Sequence, residues 1–270
     1  MKVRTIEKDG FSWEVASTEK EGHPVFLLHG NSSSAQSFDG LCQSSLSNQF
    51  QFHAVNLPGH GNSTLPESFD LSIPALAGPV ANVIKSLAGN EGFSVIGHSI
   101  GGHIVNHGAA LLSGCKALIT LSAPPVSLDT LPTAFREDPC NAAIFRSELS
   151  DEDIDLMARC LLGSASDTGN YLATLKQSIA GTNPGFREKL GMSLGQGKLE
   201  NEQSIVDASA IPCALIYGEE DLFIQSEFCE NISFSNALNK GTYGISGAGH
   251  SPHLSHADTV HAILEDVLTA

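Results

Sequence analysis

Phe93-Ser94-Val95-Ile96-Gly97-His98-Ser99-Ile100-Gly101 opens on a short apolar run and passes through a Gly-x-Ser-x-Gly pattern into an amphipathic stretch at 100–112. The run reads as a strand, the glycines as a sharp turn and the stretch behind them as a helix. Ser99 then stands at the apex of a strand–turn–helix unit. A serine hydroxyl is a weak nucleophile in water. Chemistry at Ser99 therefore needs an exposed oxygen, a base beside it and donors where negative charge develops. The turn meets the first need and part of the third, because its glycines remove Cβ atoms that would clash where strand and helix pass close together.

The same pattern occurs at Gly191-Met192-Ser193-Leu194-Gly195, behind the charged segment 186–190 and ahead of the polar segment 196–203. No strand pattern enters it and no apolar helix leaves it, so it reads as a surface turn. Context selects Ser99.

Outward from this unit, residues 24–28, 50–56, 93–97, 116–122 and 212–218 are compact apolar runs, as expected of strands buried on both faces of a parallel sheet. Residues 11–17 alternate like an edge strand, and a last strand is expected around 242–245. Helical patterns fall at 34–47, 72–88, 100–112, 225–232 and 252–268. The alternation predicts an α/β fold, a doubly wound and mostly parallel sheet whose ligand site lies at the carboxyl ends of the strands.

The rhythm breaks at 124–211, which carries helical pieces and no convincing strand. The expected organisation is a core domain of 1–123 and 212–270 with a helical lid of 124–211 inserted in it. Ser150 is a plausible cap ahead of Asp151, Glu152 and Asp153. Ile154, Met157, Ala158, Leu161 and Leu162 then form one apolar stripe, and Tyr171, Leu172, Leu175 and Ile179 a second. Such stripes pack a lid onto its body or wall an apolar acyl pocket.

Composition narrows the partners. The 270 residues carry 14 Lys+Arg against 30 Asp+Glu, a formal charge of −16, which opposes nucleic acid and anionic membrane surfaces. Apolar runs fall short of a membrane span, and the first residues lack a signal-peptide pattern, so a cytoplasmic protein, monomeric or a small homo-oligomer, is expected. The six cysteines are scattered without a C-x-x-C pair, which suits a reducing compartment and buried or idle thiols.

A base and a carboxylate are expected on loops after later strands. Gly247-Ala248-Gly249-His250 offers His250 on a glycine-rich loop, and Gly218-Glu219-Glu220-Asp221 offers three acids. The oxyanion donors are expected to be the N–H of Ile100, at the positive end of a helix, and the N–H of Asn31, after the His29-Gly30 turn. The Asn31 side chain is free in this reading to hold substrate or to cap the next helix. His253 and His256 follow His250 at steps of three, which swing side chains apart around a helix, and His103/His107 carries Ile104 where a zinc protease has its glutamate. These histidines are read as structural or surface groups, and no metal or cofactor is expected.

The sequence resembles the α/β-hydrolase-fold serine hydrolases over nearly its whole length, through His29-Gly30, Leu57-Pro58-Gly59-His60-Gly61-Asn62-Ser63, the serine turn, 218–221 and 247–250. The resemblance implies that Ser99, Asp221 and His250 act as nucleophile, orienting acid and base, in that chain order. That fold places its acid third beyond the strand-ending glycine, which favours Asp221, with Glu220 as runner-up. More narrowly, 29–34, 99–104 and 123–126 are similar to the metal-independent N-acyl-homoserine lactone lactonases of this fold. The narrower resemblance implies a small ester or lactone substrate with an apolar acyl chain, held near Gly30, Ser32 and Met157 of the lid. A lid tyrosine found in those lactonases is matched here by Met157, which has no hydroxyl. A carboxylesterase, a carbon–carbon bond hydrolase and a non-catalytic small-ligand receptor on the same fold are the competing expectations.

Overall fold

The computed structural model describes residues 1–163 and 171–270. Its eight strands are β1 (Lys2–Lys8), β2 (Phe11–Ser17), β3 (His23–Leu28), β4 (Phe50–Val55), β5 (Phe93–His98), β6 (Cys115–Leu121), β7 (Cys213–Gly218) and β8 (Ala237–Ile245). They form one sheet in the order β1-β2-β4-β3-β5-β6-β7-β8. The pairings β1/β2 and β2/β4 are antiparallel, and every pairing from β4 to β8 is parallel.

The apolar runs have a simple cause. Phe26 and Leu28 of β3 enter one core cluster while Val25 and Leu27 enter the other, so both faces of the strand are covered. Helices α1 (Ile73–Ala88) and α2 (Ile100–His107) contribute to the first cluster, and α7 (Ala257–Leu268) to the second. Helix α1 starts where the Ser72 hydroxyl accepts from Ala75 N and stops at Gly89, whose φ is +63°.

Between β6 and β7 lie α3 (Asp151–Leu162), α4 (Tyr171–Gly181), α5 (Pro184–Gly195) and α6 (Glu202–Ala208), with shorter helices at Leu131–Ala134 and Pro139–Ala143. Helix α3 has a complete capping box, Ser150 and Asp153 each receiving the other's backbone N–H. Met157, Ala158, Leu161 and Leu162 are buried as the stripe predicts, and Leu175 and Ile179 are buried on α4.

The structure corrects four expectations. Strand β2 is not an edge; the edge is β1, whose charged and mostly exposed residues gave no apolar signal. The helix expected at 34–47 is broken into one short α-helix, Asp39–Gln43, between two 3₁₀ turns. Ser193 is not on a surface turn: it is buried in α5, donating to Leu190 O at 2.8 Å. Finally, Cys140 and Cys160 form a disulfide, which isolated cysteines 20 residues apart did not announce. Cys42, Cys213 and Cys229 are buried free thiols, as expected, and Cys115 is half-buried.

Candidate active site

The strand order reverses at β3 and β5, since β4 lies outside β3 on one side and β6 outside β5 on the other. Chain leaving these two strands opens a crevice at their carboxyl ends. Asn31 follows β3 and Ser99 follows β5, so the switch point brings them to one place. Ser99 has φ +50° and ψ −122°, a conformation costly for a residue with a Cβ. The neighbours hold it there: Ser99 N donates to Leu121 O at 2.9 Å. A Cβ on Gly97 would lie 2.6 Å from Gly102 Cα, and one on Gly101 2.5 Å from Leu28 O, so the turn tolerates no side chain at either position.

His250 Nε2 lies 2.9 Å from Ser99 Oγ, and His250 Nδ1 lies 2.7 Å from Asp221 Oδ2. The other oxygen, Asp221 Oδ1, accepts from Phe223 N at 2.7 Å and Ile224 N at 3.2 Å, which fixes the carboxylate with its second oxygen toward the ring. Glu219 and Glu220 are exposed on the same turn. Asp221 and His250 are both buried, where an ion pair is weakly screened. His98 Nε2–H donates to His250 O at 2.9 Å and steadies the loop that carries the ring. Close packing of β7 against that loop requires Gly218, whose Cβ would sit 2.2 Å from Gly249 O.

Burial holds the surrounding histidines neutral. It pushes His98 well below its ordinary pKa, with His253 and His250 adding to the effect, and takes His253 to about 3 and His29 to about 4. Neutral His29 and His60 have structural work. His29 Nε2 accepts from Leu57 N at 3.0 Å and His60 Nε2 accepts from Ser32 N at 3.0 Å, which ties the 57–63 loop to the loop after β3.

Ser99 opens onto a cavity of about 280 Å³. Its wall is mostly apolar, including Ile73, Val126, Phe135, Ile144 and Leu194, with Asn31, Ile100, His103, Arg136 and Asn141 also lining it. Larger hollows beside the N-terminal hairpin and the sheet's lower edge hold none of the residues expected to react.

A family model described as alpha/beta hydrolase family matches residues 25–263. The chain belongs to that family. Among curated relatives of this hydrolase, a pimeloyl-[acyl-carrier protein] methyl ester esterase of Stenotrophomonas maltophilia is 26% identical, with 92% of this chain and 94% of the relative covered. The same enzyme of Xanthomonas axonopodis pv. citri is 28% identical over 90% of this chain and 94% of its own. Among solved structures, a mutant of the N-acyl homoserine lactonase AidH complexed with N-hexanoyl homoserine lactone superposes with a TM-score of 0.91 at 26% identity, covering 99% of this chain and 97% of that one.

Several site expectations of the hydrolase change in the structure. The Asn31 side chain neither caps a helix nor stands free. Its Nδ2 donates to Ile144 O at 2.8 Å and its Oδ1 accepts from Ser32 Oγ at 3.1 Å, linking the β3 loop to the insertion. Ser32 is fully buried and, like Met157, does not line the cavity, so neither is placed to touch substrate there. Both are diverted by packing: Ser32 sits under Arg187, whose guanidinium donates to the carbonyls of Arg146, Ser147 and Ile179, and Met157 faces the core. Gly30 acts by its size, since a Cβ there would meet His98 Nδ1 at 2.9 Å and Ser99 Cβ at 3.1 Å.

Sequence reading missed Glu202. This fully buried carboxylate on α6 receives His103 Nδ1 at 2.9 Å, Asn106 Nδ2 at 3.1 Å and Val126 N at 3.3 Å, with His107 Nε2 at 3.4 Å. Burial alone would raise its pKa, but His103 and His107 outweigh that and hold it below the ordinary value. An isolated glutamate 99 positions beyond its histidine leaves no sequence signal. Among the described residues, no group of three or more His, Cys, Asp or Glu is arranged to hold a metal ion.

Proposed function

We propose that this protein, a carboxylic ester hydrolase, opens the ring ester of N-acyl homoserine lactones through an acyl-enzyme on Ser99. The observation that carries the reading is the Ser99–His250–Asp221 chain of hydrogen bonds at the mouth of a small, largely apolar cavity. His250 takes the Ser99 proton as Oγ attacks the lactone carbonyl, and Asp221 stabilises the resulting imidazolium. The oxyanion is held by the N–H groups of Ile100, which as the first residue of α2 has no intrahelical acceptor, and of Asn31. Collapse breaks the ring C–O bond, and His250 returns its proton to the departing alkoxide, which stays tethered to the acyl group. Water, deprotonated by His250, then cleaves the Ser99 ester and releases the N-acyl homoserine.

The likeness to AidH over 99% of the chain supports the lactone. The apolar wall supports an acyl chain, each buried CH₂ contributing about 0.8 kcal/mol until the cavity is full. A second reading, cleavage of a methyl ester at the end of an acyl chain, is favoured by the curated relatives. Values of kcat/KM for N-butanoyl, N-hexanoyl and N-decanoyl homoserine lactone, methyl hexanoate and p-nitrophenyl hexanoate separate the two. Lactones are expected to lead. Turnover of the methyl ester with the lactones untouched would reject the lactone reading and leave the esterase one.

A further inference from the structure

We propose that His103 binds substrate, accepting through Nε2 a hydrogen bond from an N–H or O–H that the substrate carries close to its reacting carbonyl. His103 lines the same cavity as Ser99, and its backbone N–H donates to Ser99 O at 3.0 Å. Its backbone therefore stands about one helical turn, roughly 5.4 Å, beyond the nucleophile at the start of α2.

With the ring neutral, as the proposal takes it, the tautomer is set from behind. Glu202, fully buried and ionised, can only accept hydrogen bonds, and His103 Nδ1 lies 2.9 and 3.1 Å from its two oxygens. In a neutral ring the single proton must then be on Nδ1, which leaves Nε2 as an acceptor. Nε2 has no protein partner among the described residues, and the Phe135 ring, 6.1 Å away between centroids, is one of its apolar neighbours. His107 makes a useful contrast: it also faces Glu202, but it does not line the cavity.

An acceptor fixed in a largely apolar wall discriminates by what it lacks. A substrate with a donor satisfies it, and an analogue without one leaves it buried and unpaired. In an N-acyl homoserine lactone the amide N–H is two bonds from the lactone carbonyl, so this inference deepens the proposed function and in that respect rests on it. The same donor exists in linear esters of N-acylated glycine.

The test compares each of two substrates with an analogue in which CH₂ replaces the amide N–H: N-hexanoyl homoserine lactone, and the methyl ester of N-hexanoylglycine. For the wild type, kcat/KM is expected to favour the N–H compound by about tenfold or more, roughly 1.4 kcal/mol per factor of ten. In His103→Leu the ratio should fall to near one, and His103→Gln, whose amide oxygen can accept, should restore part of it. Glu202→Gln should also lower the ratio, because an amide permits the other tautomer, an effect that loss of packing alone would not produce. A wild-type ratio near one, or a ratio unchanged in His103→Leu, overturns the proposal, and the wild-type ratio decides even if a variant does not fold. Hydrolysis of the glycine esters without the lactones would reject the lactone reading while leaving this ratio intact as the test of His103.

Discussion

At Ser99 a single oxygen is separated from general-base help by 2.9 Å. Ser99→Ala should abolish ester hydrolysis and leave the melting temperature within a few degrees, measured on one preparation by turnover and circular dichroism. Ser193→Ala should retain activity, because that hydroxyl only returns to a carbonyl of its own helix; an inactive Ser193→Ala beside an active Ser99→Ala would reverse the assignment. Asp221 is more constrained, with one oxygen receiving two backbone N–H groups and the other receiving His250 Nδ1. An asparagine there must turn its NH₂ toward one set of donors or the other. Asp221→Asn should therefore lower kcat by on the order of 10³ to 10⁴. Glu220→Gln should cost less than tenfold, and a larger loss in Glu220→Gln than in Asp221→Asn would move the acid to that position.

Among the elements, the insertion between β6 and β7 is held by specific ties as well as by its apolar stripes. Asn31 reaches the Ile144 carbonyl, Arg187 gathers three carbonyls around a buried guanidinium, and the Cys140–Cys160 bridge joins the helix Pro139–Ala143 to α3. The bridge closes a loop with a sequence separation of 20, which stabilises by about 3 kcal/mol in the chain-entropy account. Mild reduction, or the Cys140→Ser/Cys160→Ser double variant, should lower the melting temperature by several degrees. It should also raise KM more than it lowers kcat, because Asn141 beside Cys140 lines the cavity while Ser99, Asp221 and His250 lie outside the bridged segment. A double variant with unchanged melting temperature and KM would show that the bridge constrains nothing the fold needs.

Across the whole molecule, the buried histidines couple stability to pH. In the folded chain His29 titrates at about 4 and His253 at about 3, whereas both take up a proton near 6.5 when unfolded. Between those values the unfolded state holds more protons, so stability is fully present above about pH 6.5 and falls as pH drops toward 4 and then 3. Each group contributes up to about 1.4 kcal/mol per pH unit within its window. Glu202 adds a loss of the same sign at lower pH, its carboxyl being held below the ordinary value. Urea midpoints should therefore decline steadily from pH 7 to pH 4.5. A flat profile over that range would show that these rings are protonated without cost in the folded state.

The turn around Ser99, the glycines that permit it, the buried strands and the apolar stripe of α3 were legible in the sequence because each depends on residues close together in the chain. Local periodicity and local sterics are written there. Strand β1 escaped, since an exposed edge needs no apolar run, and the disulfide escaped because pairing depends on how two successive helices pack against each other. Asp221, which the resemblance already favoured over Glu220, faces His250, but tertiary structure alone decided that the Asn31 side chain is tied to Ile144 of the insertion, that Ser32 is buried under Arg187 away from the cavity, and that Glu202 lies behind His103. Each of these is a contact between segments tens to more than a hundred residues apart. Such contacts are set by the order in which the sheet brings its strands together, which no local pattern records.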